Sequence, residues 1–271
     1  MILLKKQIDD FKTNGYLILK NVFSKDELES FASAVRFIAK NELDRAGIPS
    51  TNKTNQVTED VIKLDKCGLM DRYSALVAGI SEVSRLHSNP LLRSAINQLL
   101  GRDEKSALFL TNNAAIVTLP DDPNYTYTWH KDTFYTIPQS RYIQIWAPLI
   151  RPSSVENGTL RVCLKSHRNG LKGQTKLANA PNRHKYVATD TEVEKYSQAD
   201  LELELGSVLI LDSGLIHKSG DNTSGKIRYS LVGIYHDTDF KDFHPIGRQA
   251  VWGKKTPDEF YDESTALESN K

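Results

Sequence analysis

Apolar and polar positions along the chain separate a helical first part from a strand-rich second part. Tyr16-Leu17-Ile18-Leu19, directly after Gly15, is a short apolar run with strand character. Ser24 and Glu27 follow with the spacing of a capping box, in which each side chain satisfies the other residue's orphan backbone N–H. Leu28, Phe31, Ala32, Val35 and Ile38 then recur at helical spacing, and Gly47 and Pro49 end that helix. Residues 50–70 are polar and without period, which predicts a long loop. A second helix is expected over about 71–87. A third starts with Asn89 as cap and Pro90 in the first turn, and carries Leu92, Ala95, Ile96 and Leu99 on one face as far as Gly101.

Beyond Gly101 the period changes. Short β-rich runs occupy 106–119, 141–150, 159–164, 201–211 and 228–236. Within 141–150, Ile143, Ile145, Ala147 and Leu149 alternate with Tyr142, Gln144 and Trp146. Asn157-Gly158, between two such runs, is a hairpin-turn signal. Residues 168–199 form one long polar interruption, of the length that lids often have. Helices followed by many short strands predict a mainly β fold with flanking α-helices, an antiparallel sandwich or jelly roll with the N-terminal helices packed outside. The expected organisation is one domain over 1–271: a helical part to about 105, a barrel over about 106–252 and a charged tail over 253–271.

Composition narrows the functional classes. The 271 residues are 39% hydrophobic and 25% charged, as in an ordinary globular protein. The 35 basic and 34 acidic residues are mixed along the chain and leave a net charge of +1, with no basic stripe to follow a phosphate backbone. Nucleic acid is therefore not the expected partner. Cys67 and Cys163 make no CxxC pair, which argues against a disulfide framework or a zinc finger and fits a reducing compartment. The apolar start, Met1 to Leu4, is too short for a signal-peptide core, and no run approaches a membrane span of ~18 apolar residues. The expected location is the cytoplasm.

Three places carry candidate chemistry. In Trp129-His130-Lys131-Asp132, an imidazole and a carboxylate two residues apart point to the same side of an extended chain, so both can reach one cation. His217 stands 85 residues after Asp132, and Arg228 a further 11 residues on, at the start of the last strong strand. Two histidines and one carboxylate on one face of a metal make the facial triad of non-haem iron oxygenases, with the remaining positions open for a chelating 2-oxo acid and O2. A buried Arg nearby can hold a far carboxylate in a bidentate pair that Lys cannot match. Each element alone is weak in a chain with seven His. Their order, spacing and strand context together carry the reading.

Ordered motifs along most of the chain resemble the phytanoyl-CoA dioxygenase family of iron/2-oxoglutarate oxygenases. These are Phe11-x3-Gly15-Tyr16 with the capped helix, Trp129-His130-Lys131-Asp132, and Ile145-Trp146-Ala147-Pro148-Leu149. Glu156-Asn157-Gly158-Thr159-Leu160 leading to Ser166-His167 follows, then Gly206-Ser207-Val208-Leu209-Ile210-Leu211-Asp212 and His217-x-Ser219 through Arg228. The resemblance implies a double-stranded β-helix with Fe(II) held by His130, Asp132 and His217. It implies 2-oxoglutarate as co-substrate, its distal carboxylate on Arg228 and Ser219, and O2 as oxidant. Trp146 would line the co-substrate pocket, although it reads equally well as barrel core. Asn112 and Gln144 are polar strand residues that would contact the co-substrate or simply hydrogen-bond within the sheet. His167 reads as structural. Oxidative decarboxylation of 2-oxoglutarate would be coupled to hydroxylation, desaturation or cyclisation of a small molecule, and Asp132 disfavours halogenation, since related halogenases lack that carboxylate.

For the substrate, the aromatics near the H-x-D motif (Tyr125, Tyr127, Phe134 and Tyr135) offer packing surface or anchor a lid. Arg161, Lys165 and Arg168 would attract an anion or form a solvated surface. Two other readings stay open at this stage: a cupin-like enzyme with a different divalent metal, and a non-catalytic jelly-roll binding protein.

Overall fold

The structure, a computed structural model, describes residues 2–49, 57–122, 127–132, 141–169, 174–176, 186–241 and 243. Tyr125, Phe134 and Tyr135 lie outside the described residues, as does the charged tail.

The first helix, α1 (Lys5–Asn14), carries only Ile8 and Phe11 as apolar residues and is not among the elements expected from the sequence. It is held from outside: Phe11 is buried, and the Leu3 N–H donates to Gln98 Oε1 at 2.8 Å. Gly15 closes it in the left-handed conformation, with φ 83°, and turns the chain into β1 (Tyr16–Leu19). The predicted capping box starts α2 (Lys25–Arg45), with Ser24 and Glu27 bonded reciprocally. Two short turns, α3 (Val57–Asp60) and α4 (Ile62–Asp65), stand where a continuous loop was expected. The helix expected over 71–87 is two helices, α5 (Met70–Ala78) and α6 (Ser81–His87). The break falls at Gly79 and Ile80, whose extended backbone (φ −67°, ψ 154°) lets Val83 and Leu86 turn into the core. Helix α7 (Pro90–Leu99) starts as predicted, with Asn89 Oδ1 accepting from the N–H groups of Leu91 and Leu92.

The strands that follow are β2 (Leu108–Thr118), β3 (Tyr142–Pro148), β4 (Leu160–Cys163), β5 (Gln174–Lys176) and β6 (Tyr186–Ala188). The short helix α8 (Asp190–Val193) precedes β7 (Gln198–Leu201), β8 (Val208–Asp212), β9 (His217–Ser219) and β10 (Arg228–Asp237). The expected run 201–211 is thus two strands, and the stretch 168–199 contains β5, β6 and α8 rather than loop alone.

Five strands form a large antiparallel sheet in the order β1-β8-β3-β10-β2, and three form a small one in the order β7-β4-β9. Alternation divides the large sheet. Ile143, Ile145, Ala147, Val208, Ile210, Tyr229, Leu231 and Tyr235 pack with the helices in the main core. Trp146, Leu209, Leu211 and Val232 face the other way and pack with Leu160, Val162 and Leu201 of the small sheet. The architecture is the jelly-roll arrangement expected, strands enclosing an interior and helices covering one outer face. Asn157-Gly158 does make a tight turn, but the strands on either side join different sheets, β3 the large one and β4 the small one, so it is no hairpin.

Candidate metal centre

His130 and His217 come together through the backbone. The His130 N–H donates to the His217 carbonyl at 2.9 Å, and the His217 N–H to the His130 carbonyl at 3.0 Å, an isolated bridge beside β9. Their rings lie 4.4 Å apart between centroids. His130 Nε2 is 3.4 Å from one Asp132 oxygen, and His217 Nε2 is 3.8 Å from the other. One ligating atom from each of the three residues falls within 4.8 Å of the others, and all three residues are buried.

Second hydrogen bonds fix the tautomers. His130 Nδ1 lies 2.6 Å from the Thr128 carbonyl and His217 Nδ1 3.0 Å from the Leu215 carbonyl. A carbonyl can only accept, so each Nδ1 carries the proton and each Nε2 presents a lone pair. Burial, with the neighbouring His130, pushes the His217 imidazole down to about 4, so it is neutral at physiological pH. Burial alone would raise the Asp132 carboxyl, but the adjoining imidazoles of His130 and His217 and the Gln144 side chain hold it below its usual range. Two imidazole lone pairs and a carboxylate therefore converge on one point. A divalent cation suits that donor set, and its mixed nitrogen and oxygen composition fits iron(II) among the first-row metals.

Arg228 projects from the start of β10 into the same interior. Its guanidinium donates to the carbonyls of Asn157 (3.2 Å) and Gly158 and to Thr118 Oγ1 (3.2 Å), while Nε has no partner. Burial pulls it down to about 10, which leaves it cationic at neutral pH. Among the described residues no carboxylate pairs with it. A buried cation with only neutral acceptors is costly, and an anionic ligand relieves it. Gly158 makes the close approach possible: with φ 81°, an added Cβ would stand 2.5 Å from Arg228 Nη1 and 2.5 Å from the Gly220 carbonyl.

The other predicted residues divide into those near the site and those away from it. Trp146 is buried in the interior cluster with its ring centroid 6.0 Å from the Arg228 guanidinium carbon, so it is at once core and neighbour of that cation. Ser219 lies two residues beyond His217 on β9, and its N–H donates to the Tyr127 carbonyl at 3.2 Å. The Tyr127 ring sits 5.5 Å from that of His130. Gln144, on β3, reaches the ligand cluster, where it helps to lower the Asp132 carboxyl. Asn112 is exposed at a β-bulge opposite Gly233, with φ 50°, and does not meet the cluster. Arg161 turns outward, because Leu160 and Val162 take the interior positions of β4, and it is bound in a double ion pair to Asp200 at 2.9 Å and 2.9 Å. His167 is structural, lying 3.1 Å from the Lys12 carbonyl. Two residues went unnoticed in the sequence: Thr118, for which no local signal exists, and Lys131, hidden inside the H-x-D motif.

Solved structures with this fold include three enzymes of low identity. EvdO2 from Micromonospora carbonacea var. aurantiaca, complexed with 2-oxoglutarate, is 18% identical over 90% of this chain and 96% of its own, with a TM-score of 0.56. SnoK, described as a non-heme alpha ketoglutarate dependent carbocyclase from nogalamycin biosynthesis, is 14% identical over 94% and 92%, with a TM-score of 0.58. EctD from S. alaskensis, with 2-oxoglutarate and 5-hydroxyectoine, is 18% identical over 95% and 83%, with a TM-score of 0.60. At such identities the likeness establishes the fold. The sequence model for phytanoyl-CoA dioxygenase (PhyH) matches residues 11–230, and the chain belongs to that family.

Proposed function

We propose that this protein is a non-haem iron oxygenase that couples oxidative decarboxylation of 2-oxoglutarate to oxidation of a small molecule. One observation carries the reading: two unprotonated imidazole nitrogens and a carboxylate converge in the interior that also holds a buried Arg228, without an anionic partner among the described residues. His130, Asp132 and His217 are the iron ligands. Arg228 takes the distal carboxylate of 2-oxoglutarate, with Ser219 beside it and Trp146 as the adjoining wall. When bound, iron(II) would activate O2, the oxidant, which takes two electrons from 2-oxoglutarate as that becomes succinate and carbon dioxide, and two from the substrate. The protein holds the imidazoles in the ligating tautomer, keeps Asp132 ionised and closes the interior to bulk water with Trp146, Leu209 and Val232.

Because Asp132 fills the carboxylate position, the favoured outcomes are hydroxylation, desaturation or cyclisation. The substrate class we infer is a metabolite or natural-product intermediate, in keeping with the nogalamycin biosynthesis named for SnoK and the 5-hydroxyectoine bound to EctD. Tyr127, the one predicted substrate-facing aromatic within the described residues, adjoins His130 and is the first candidate to touch it. No described helix is long and apolar enough to cross a membrane, and we place the enzyme in the cytoplasm.

The test is anaerobic. Iron(II) and 2-oxoglutarate added to the apo-protein should give the visible charge-transfer band of the chelate. The band should vanish in His217→Ala and need much more 2-oxoglutarate in Arg228→Ala. Bound metal with no band would remove the oxygenase reading in favour of another metal chemistry.

A further inference from the structure

Ser166 and His167 form a motif that the metal centre itself does not use. Ser166 is fully buried, at 0% exposure, and begins the tight turn Ser166–Asn169. That turn is clamped onto the end of α1. The Lys165 N–H donates to the Asn14 carbonyl at 3.2 Å, His167 Nε2 lies 3.1 Å from the Lys12 carbonyl, and Arg168 donates to the Thr13 carbonyl at 3.1 Å. With the Gly15 N–H on the Phe11 carbonyl, the four carbonyls that end the helix all have partners. Gly15 allows the close fit: an added Cβ would stand 2.5 Å from His167 Nδ1 and 2.8 Å from Leu215 Cδ1.

Ser166 Oγ reaches from this turn to the segment that carries His217. It accepts from the Ile216 N–H at 2.8 Å. The same peptide unit presents the Leu215 carbonyl, on which His217 Nδ1 rests at 3.0 Å. One rigid plane thus has Ser166 at one edge and the ligand's imidazole at the other. Among the described residues nothing else bonds that plane. The tie to β4 runs from the Cys163 N–H to the Ile216 carbonyl, one peptide further on, and the bridge to His130 uses the backbone of His217 itself.

We infer that Ser166 is a positioning residue for the metal centre: through the Leu215–Ile216 peptide it keeps the proton of His217 on Nδ1 and so leaves Nε2 free to bind the metal. The inference rests on the proposed iron site. Strand pairing places His217 but does not fix the tilt of the preceding peptide. Without Ser166 Oγ its buried N–H loses its acceptor, and the plane turns to find another. The Leu215 carbonyl then leaves Nδ1, and the hydrogen bond that decides which ring nitrogen is protonated is gone. While the bond is made, Ser166 also polarises the peptide, so its carbonyl accepts more strongly.

The experiment reads the tautomer directly. Nitrogen-15 spectra of the apo-protein at mildly alkaline pH, assigned with His217→Ala, distinguish a protonated ring nitrogen from a bare one. The wild type should show His217 protonated on Nδ1. Ser166→Ala should show mixed tautomers at His217 and an unchanged His130. It should also raise the iron(II) dissociation constant, measured anaerobically by competition with a coloured chelator, roughly 10- to 100-fold, the usual cost of losing a group that orients a ligand. Leu92→Ala, in the helical layer, controls for stability: it should lower the thermal midpoint of the apo-protein and leave both readouts unchanged. Should Ser166→Ala fail to fold, Ser166→Cys, close in size but a weaker acceptor, decides by the same two readouts. A wild-type tautomer or a wild-type iron affinity in the Ser166 variant would overturn the inference and leave the proposed function standing. A wild type that binds no iron would remove both.

Discussion

The two sheets enclose one interior but are built differently. The middle of the large sheet is buried on both faces: every residue of β3 and of β10 is buried, because helices cover one side and the small sheet the other. The small sheet has one dry face and one wet face. Leu160, Val162 and Leu201 point inward, while Arg161 and Asp200 pair in solvent. The site draws on both. Arg228, Trp146 and Gln144 stand on the rigid, doubly covered sheet, and His217 and its bridged partner His130 come from the thin one. A long co-substrate needs a fixed anchor, which the large sheet provides. The metal ligands depend on local ties instead: carbonyls that set the imidazole tautomers, and the reciprocal backbone bonds between His130 and His217.

The comparison breaks most severely at the ligands. Asp132→Gly should abolish hydroxylation, read as loss of substrate-dependent succinate formation, because the remaining imidazoles leave the metal charge uncompensated. Turnover at the wild-type rate would sink the ligand assignment. On the large sheet the effect should be smaller and of a different kind. Arg228→Lys keeps the charge but loses the fork, and Gly158→Ala intrudes on the guanidinium. Each should raise the 2-oxoglutarate concentration for half-maximal rate about 10- to 100-fold, given ~1.5–3 kcal/mol for a charge-assisted hydrogen bond, with iron affinity unchanged. A fall in iron affinity of similar size would mean that the two halves of the site are not separate.

Acid sharpens the contrast at the level of folding. His87, His217 and His236 are all pushed by burial from 6.5 to about 4 in the folded apo-protein. Between those values the unfolded chain binds more protons than the folded one, so their contribution to stability is fully present above about 6.5 and is lost as pH falls toward and through 4. The thermal midpoint of the apo-protein should therefore drop over that window. His87 sits behind the large sheet, its Nδ1 2.9 Å from the Tyr235 hydroxyl, and His87→Gln should make the drop shallower. An unchanged pH profile in that variant would show that His87 takes no part.

Legibility in the sequence followed the same division. Local chemistry was readable: the capping box at Ser24, the Asn89-Pro90 start, the alternation in β3, and the ligand triad with Arg228. Features decided by distant partners were not. Helix α1 exists because Phe11 and Leu3 find the core, which its own polar pattern does not announce. Asn157-Gly158 announced a turn, but pairing across sheets is non-local, so the hairpin reading failed. Gln144 was legible as a polar strand residue, yet only the fold brings it to Asp132. Alternation should have turned Lys131 away from the metal.

Arg161 gives the smallest expected effect and the sharpest test of the small sheet's outer face. As a basic residue beside the Ser166-His167 turn it invited a role in drawing an anionic substrate. The structure gives it a partner already, Asp200, through two hydrogen bonds on the solvent side of β4 and β7. Its side chain keeps 41% of its exposure, and an exposed ion pair contributes roughly 0–1 kcal/mol even with good geometry. Arg161→Ala should thus shift the thermal midpoint slightly, and less still at high salt, leaving the substrate KM unchanged. A several-fold rise in KM with stability intact would place substrate on the outer face. The thin sheet would then serve on both sides, and the interior would not be the whole of the site.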